Sequence, residues 1–158
     1  MLKKLLLICL VMLSLCSTAF ASGSDNLRVA LVYGQYSAEI SCDDEFTVED
    51  LATGKLSTLP EGKYFLNVKE GKLTMGEHIF SNKIEINRFE GKSLPQINKR
   101  CYAGSLQAQI QGDRLLINNV VNLELYLCSV LPSKTMPIWP DEAIKAQAIA
   151  ARSYARYM

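Results

Sequence analysis

Residues 106–130 read LQAQIQGDRLLINNVVNLELYLCSV, and the fold turns on them. Leu106, Ala108 and Ile110 alternate with glutamines. Leu115-Leu116-Ile117 then follows the turn Gln111-Gly112-Asp113-Arg114, so this half is a hairpin with the two-residue period of strands. From Asn122 the period changes. Leu123, Tyr126, Leu127 and Val130 recur at helical spacing and make one apolar stripe. Asn122 suits the N-cap, because its side-chain oxygen can accept one of the first unpaired N–H groups.

Upstream, the strand pattern continues. Leu27 to Tyr33 is a strongly apolar strand closed by Gly34, while Ala38–Ser41, Phe46–Val48 and Ile84–Ile86 alternate with polar residues. Ala52-Thr53-Gly54-Lys55 reads as a turn, and Glu70-Gly71 joins Tyr64–Val68 to Lys72–Met75 as a second hairpin. Short strands with glycine-centred turns imply an antiparallel β region from Leu27 to about Val121.

Downstream, Pro132, Pro137 and Pro140 forbid one continuous helix through Leu131–Pro140, which predicts a Pro-rich elbow. Such an elbow can present Ser133, Lys134 and Thr135 at the mouth of a cleft. Pro140 fits the start of a second helix, with Asp141 and Glu142 favourable at its positive end. Six alanines between Ala143 and Ala155 shrink that helix, so it is expected to lie inside the domain with partners for Gln147 and Arg152. The fold class is therefore α+β: an antiparallel β-rich region followed by two helices joined by a Pro-rich elbow. The second helix has no terminating signal at Tyr157-Met158, so 22–158 is expected to be an incomplete domain, truncated at its C-terminus.

A length of 158 residues suits one domain. Lys3 and Lys4 precede the apolar run Leu5–Leu15, and Ala19-Phe20-Ala21 supplies small residues for cleavage. Residues 1–21 thus read as a secretory signal peptide, which predicts export to the cell envelope or beyond; a retained membrane anchor is the alternative. Leu15 before Cys16 is too large for a good lipidation site. Without Lys3 and Lys4, 15 Lys+Arg face 16 Asp+Glu, so the basic stripe of a nucleic-acid binder is missing. Cys42, Cys101 and Cys128 are an odd set; one internal disulfide is open, and sequence does not choose its pair. Cys128 is expected to be a small buried hydrophobe, and His78, near Gly76, a surface turn residue. No two cysteines have zinc-pair spacing, so neither metal nor cofactor is expected.

Several of these residues together resemble the stage II sporulation protein D / amidase-enhancer family of bacterial cell-wall proteins. Glu124, Tyr126 and Leu127 match its E-x-Y-L part, Val130, Pro132 and Ser133 the entry to the elbow, and Trp139-Pro140 its W-P. Glu142 to Ala155 matches the helix that follows almost position by position. Leu27–Gly34 resembles the family's opening strand, and Tyr102–Leu106 its Y-R-G-x-L segment.

The resemblance implies action on peptidoglycan glycan strands. Active members resemble lytic transglycosylases, in which a Glu in P-S-E-M-P protonates the leaving glycosidic oxygen and then accepts a proton from the muramoyl 6-hydroxyl. Here Lys134 stands at that position, followed by Thr135, Met136 and Pro137. An ammonium has the wrong charge for an oxocarbenium-like transition state, so impaired catalysis is expected at Lys134. Glu124 matches another family Glu and is read as structural. Ser133, Gln147 and Arg152 are the candidate substrate contacts. Two alternatives accompany this reading: a non-catalytic protein that binds glycan or stimulates an N-acetylmuramoyl-L-alanine amidase, and an inactive truncated paralogue.

Overall fold

A computed structural model describes residues 25–90, 92–136 and 138–157; the stretch 1–21, read from sequence as a signal peptide, and Pro137 of the expected elbow lie outside them. The strands are β1 (Asn26–Gln35), β2 (Ser37–Cys42), β3 (Phe46–Asp50), β4 (Lys55–Leu59), β5 (Gly62–Lys69), β6 (Lys72–Met75), β7 (His78–Phe80), β8 (Lys83–Arg88), β9 (Gln96–Ile97), β10 (Arg100–Cys101), β11 (Ser105–Gln111) and β12 (Arg114–Asn122). Helices α1 (Leu123–Lys134) and α2 (Asp141–Tyr157) follow. The fold class is α+β.

Two six-stranded sheets form, in the orders β1-β12-β11-β8-β3-β4 and β10-β9-β2-β5-β6-β7. The paired strands are antiparallel. Alternation explains the core: Leu115, Ile117, Asn119 and Val121 all turn the same face of β12 inward, as expected for a period of two. Buried residues of both sheets, among them Phe46, Ile40, Leu66, Ile86, Leu106 and Ile117, join into one apolar cluster.

Strand β1 is irregular in a way that matters for the helices. Its register to β12 slips between Ala30 and Val32 and again between Tyr33 and Gln35. The first bulge changes the parity of the inward residues. Before it, Leu27 and Val29 sit opposite Val121 and Asn119; after it, Val32 sits opposite Ile117 and is buried. The end of this face is covered by α1, whose Leu123 and Leu127 are buried.

Asn122 caps α1 as its residue type suggests, its Oδ1 accepting from the Glu124 N–H at 2.9 Å. The Leu123 N–H donates to Asp25 O, which ties the helix start to the start of β1.

The structure corrects four expectations. Helix α1 does not stop at Val130 but continues through Pro132 to Lys134. Pro132 has no N–H to offer the Cys128 carbonyl, so the helix forgoes one hydrogen bond in its last turns and continues past it. The Ser133 hydroxyl donates to Val130 O at 2.7 Å, and the Thr135 N–H and hydroxyl both reach Leu131 O at 3.0 Å. The elbow proper is only the stretch from Thr135 to Pro140.

Helix α2 is not interior: no residue in it is buried, and Ile149 and Tyr154 are 63% and 65% exposed. It leans on α1 by one side only. Cys128 is exposed rather than buried. It follows Leu127, and one residue is a rotation of about 100° on a helix, which carries it off the apolar stripe. His78 is exposed but opens the short strand β7 rather than sitting in a turn.

Candidate functional site

The two helices form a hairpin with an open groove between them. Its volume is about 500 Å³, and its walls are Tyr126, Val130 and Lys134 from α1 and Gln147, Ala150, Ala151 and Tyr154 from α2. These positions follow from helical spacing. Tyr126, Val130 and Lys134 are four apart on one face, as are Gln147, Ala151 and, by three more, Tyr154. The alanines set the groove's depth, because small side chains let the neighbouring tyrosines overhang open space.

Four residues were singled out from sequence, and the structure brings two of them together. Lys134 and Gln147 face each other across the groove. Ser133 lies outside the lining and gives its proton to Val130 O. Arg152 also lies outside it and is held by Glu124: Nε donates to Oε1 at 3.0 Å and Nη2 to Oε2 at 2.7 Å. Arg152 first, by hydrogen bonding, holds the Glu124 carboxyl below its usual range, and Glu124 in turn raises the guanidinium.

Among the described lining residues Lys134 is the one charged group and no carboxyl is present. The acidic residues nearest in sequence are committed elsewhere or at the helix start. Glu124 is forked to Arg152, and Glu142 receives Lys145 Nζ at 2.7 Å. Asp141 and Glu142 occupy the first turn of α2, where the helix dipole favours them. The groove presents an ammonium, an amide and two aromatic rings from its described lining residues.

A second cavity lies on the far side of Tyr126. It measures about 420 Å³ and is bounded by Val29 and Leu31 of β1, Asn119 and Val121 of β12, the stretch Arg100–Ala103, and Tyr126, Ser129 and Val130 of α1. Asn119 is buried, and its Nδ2 donates to Ala103 O at 2.7 Å and Ser105 O at 3.1 Å, which fixes the wall above it. Gly104, in the same stretch, has φ +84°, and a Cβ there would collide with the Val120 carbonyl. Sequence reading did not reach this cavity. Its members come from four separate elements, and the one signal present was the Tyr102–Leu106 segment.

Cys42, Cys101 and Cys128 are all free thiols. Burial first, then the Asp43 charge, pushes the Cys42 thiol up to about 11. No cluster of three His, Cys, Asp or Glu residues occurs among the described residues, and none of the described helices is long and apolar enough to cross a membrane.

The fold and groove define a two-sheet α+β unit that carries a helical hairpin as its open face. Residues 111–158, from the last hairpin turn through α2, match the SpoIID family, Stage II sporulation protein. An uncharacterized protein of Brachyspira hyodysenteriae is 48% identical over 69 residues, which are 44% of this chain and 19% of that protein. The matched stretch therefore spans about a fifth of that curated relative's length. No solved structure matches the chain.

Proposed function

We propose that this is an exported cell-wall protein that binds peptidoglycan glycan strands in the groove between α1 and α2 without cutting them. The observation that carries this is the chemistry of the groove. Tyr126 and Tyr154 supply flat faces on which sugar rings can stack, Gln147 an amide for hydroxyl groups, and Lys134 a cation in place of an acid. The family match over 111–158 supports the cell-wall setting, and the basic, apolar and small-residue order of 1–21 supports export. The acid of the family pattern is a carboxyl, Lys134 stands at its position, and Glu124 is paired with Arg152, which holds its carboxyl below the usual range.

Co-sedimentation with purified sacculi tests binding, and chromatography of the supernatant tests cleavage. The protein is expected to pellet with sacculi, Lys134→Ala to pellet less, and no anhydro-muropeptides to be released. Their release by the wild-type chain would overturn the non-catalytic reading, and failure to pellet would overturn glycan binding.

A further inference from the structure

We infer that the cavity beyond Tyr126 takes the acetamido group of a sugar held in the α1–α2 groove, so that it reads whether a glycan is N-acetylated; this rests on the glycan-strand reading. Tyr126 and Val130 line both cavities, so a sugar ring seated against Tyr126 borders both.

One buried amide decides what the second cavity can recognise. Asn119 is buried and lines it. Its Nδ2 donates to two backbone carbonyls, Ala103 O and Ser105 O, which fixes the way the amide points. No described side-chain hydrogen bond uses its Oδ1. Among the described residues, Glu39 Oε1 is the one side-chain polar atom both buried and without a partner. Asn119 Oδ1 is therefore open, and the space its side chain borders is this cavity. Val29, Leu31 and Val121 supply aliphatic walls around it.

A fixed acceptor among aliphatic walls selects a group that joins a hydrogen-bond donor to a small apolar end. A sugar hydroxyl brings the donor without the apolar end. The acetamido group brings an N–H and a methyl together, and it has no charge to strip of water.

Asn119 also braces the 103–105 wall, so the test varies the ligand and blocks the cavity from β1 instead. Three pentasaccharides that share one β-linked glucose backbone compete for binding of the whole chain to purified sacculi. They are the N-acetylglucosamine oligomer, its N-formyl counterpart, which keeps the N–H and lacks the methyl, and cellopentaose, which has a hydroxyl in that place. The N-acetyl oligomer is expected to compete about tenfold better than the N-formyl one, the scale of one methyl in an apolar pocket. Cellopentaose should compete least. Val29→Phe, which fills the cavity, is expected to pellet with sacculi more weakly and to be displaced equally by all three, with circular dichroism confirming that it is folded. Equal competition by the three for wild type, competition by none, or the wild-type order persisting in Val29→Phe overturns the subsite, and glycan binding stands as long as wild type pellets. Failure of wild type to pellet overturns both readings.

Discussion

Arg152 grips both carboxylate oxygens of Glu124, at 3.0 and 2.7 Å, and this fork joins two helices whose partners are 28 positions apart in the chain. One turn further on, Arg156 makes a single contact of another kind, Nη2 donating to Oδ2 of Asp25 just before β1 at 2.7 Å. Since α2 buries no residue completely, these two ion pairs are the side-chain hydrogen bonds that link it to α1 and to the start of β1 among the described residues. The residues picked out from the sequence are thus divided: Glu124 and Arg152 pair between the helices, and Lys134 and Gln147 line the groove.

Breaking the fork should therefore loosen α2 while sparing the sheets. Glu124→Gln is expected to speed amide hydrogen exchange across 145–157 at neutral pH and to leave exchange in β8, β11 and β12 unchanged. The pair is solvent-exposed, so the global melting temperature should scarcely move. The pH dependence follows from the depressed Glu124 carboxyl. Its contribution is present above the unfolded-state value, about 4.3, and fades as pH falls through the lower folded-state value. As pH falls below that range, the protection of wild-type α2, referred to intrinsic exchange at each pH, should accordingly drop to that of the variant. Equal exchange in wild type and variant at pH 7 would show that the fork does not position the helix.

Two glycines should respond differently to the same added methyl. Gly104 and Gly112 both have positive φ, +84° and +67°. At Gly112 a Cβ meets open space, so Gly112→Ala costs only the backbone strain, about 1 kcal/mol. At Gly104 the Cβ also runs into the Val120 carbonyl and lies 3.1 Å from Val121 Cα. Gly104→Ala is expected to cost on the order of 3 kcal/mol. Denaturant titration of the two variants measures the difference, and equal midpoints would refute the close approach of the 103–105 stretch to β12.

How legible was this in sequence? The last hairpin and the start of α1 were readable because their signals are local: glutamines alternating from Leu106 to Ile110, and Asn122 preceding a helical stripe. The two-sheet division was not, because the pairing of β1 with β12 joins Asn26 to Asn122 and no local pattern encodes such a distance. The reach of α1 past Pro132 was missed because helical breaking was argued from the proline alone, without the Ser133 and Thr135 hydroxyls that take the carbonyls around it. Cys128 was misplaced even though its helical angle from Leu127 was available. Half the groove was readable: Lys134 and Gln147 carry pattern signals, whereas Tyr126 reads as one member of the apolar stripe of α1 and Tyr154 only as part of the family resemblance.

Asp50 is an acid whose role is structural, and it should report through acid sensitivity. Burial alone would raise its carboxyl, but the N–H groups of Ser81, Ala52 and Thr53, at 2.8, 3.0 and 3.3 Å, outweigh burial and lower it. The stabilisation is therefore full above about pH 4 and is lost as pH falls through the lower folded-state value. Asp50→Ala is expected to cost on the order of 2 kcal/mol at pH 7, because donors around a 5%-exposed side chain lose their acceptor. It should also flatten the fall in stability between pH 4 and 2. Unfolding midpoints for both proteins across that range check the sign, and a parallel fall in the variant would assign the acid sensitivity elsewhere.

The three thiols of the described region should separate by accessibility alone. Cys101 and Cys128 are exposed, whereas Cys42 is 3% exposed and pushed up to about 11, so at pH 8 almost none of it is thiolate. A maleimide pulse on the folded chain, followed by proteolysis and mass mapping, is expected to label Cys101 and Cys128 within minutes. Cys42 should be labelled only after denaturant is added. Rapid labelling of Cys42 in the folded chain would contradict its place in the core.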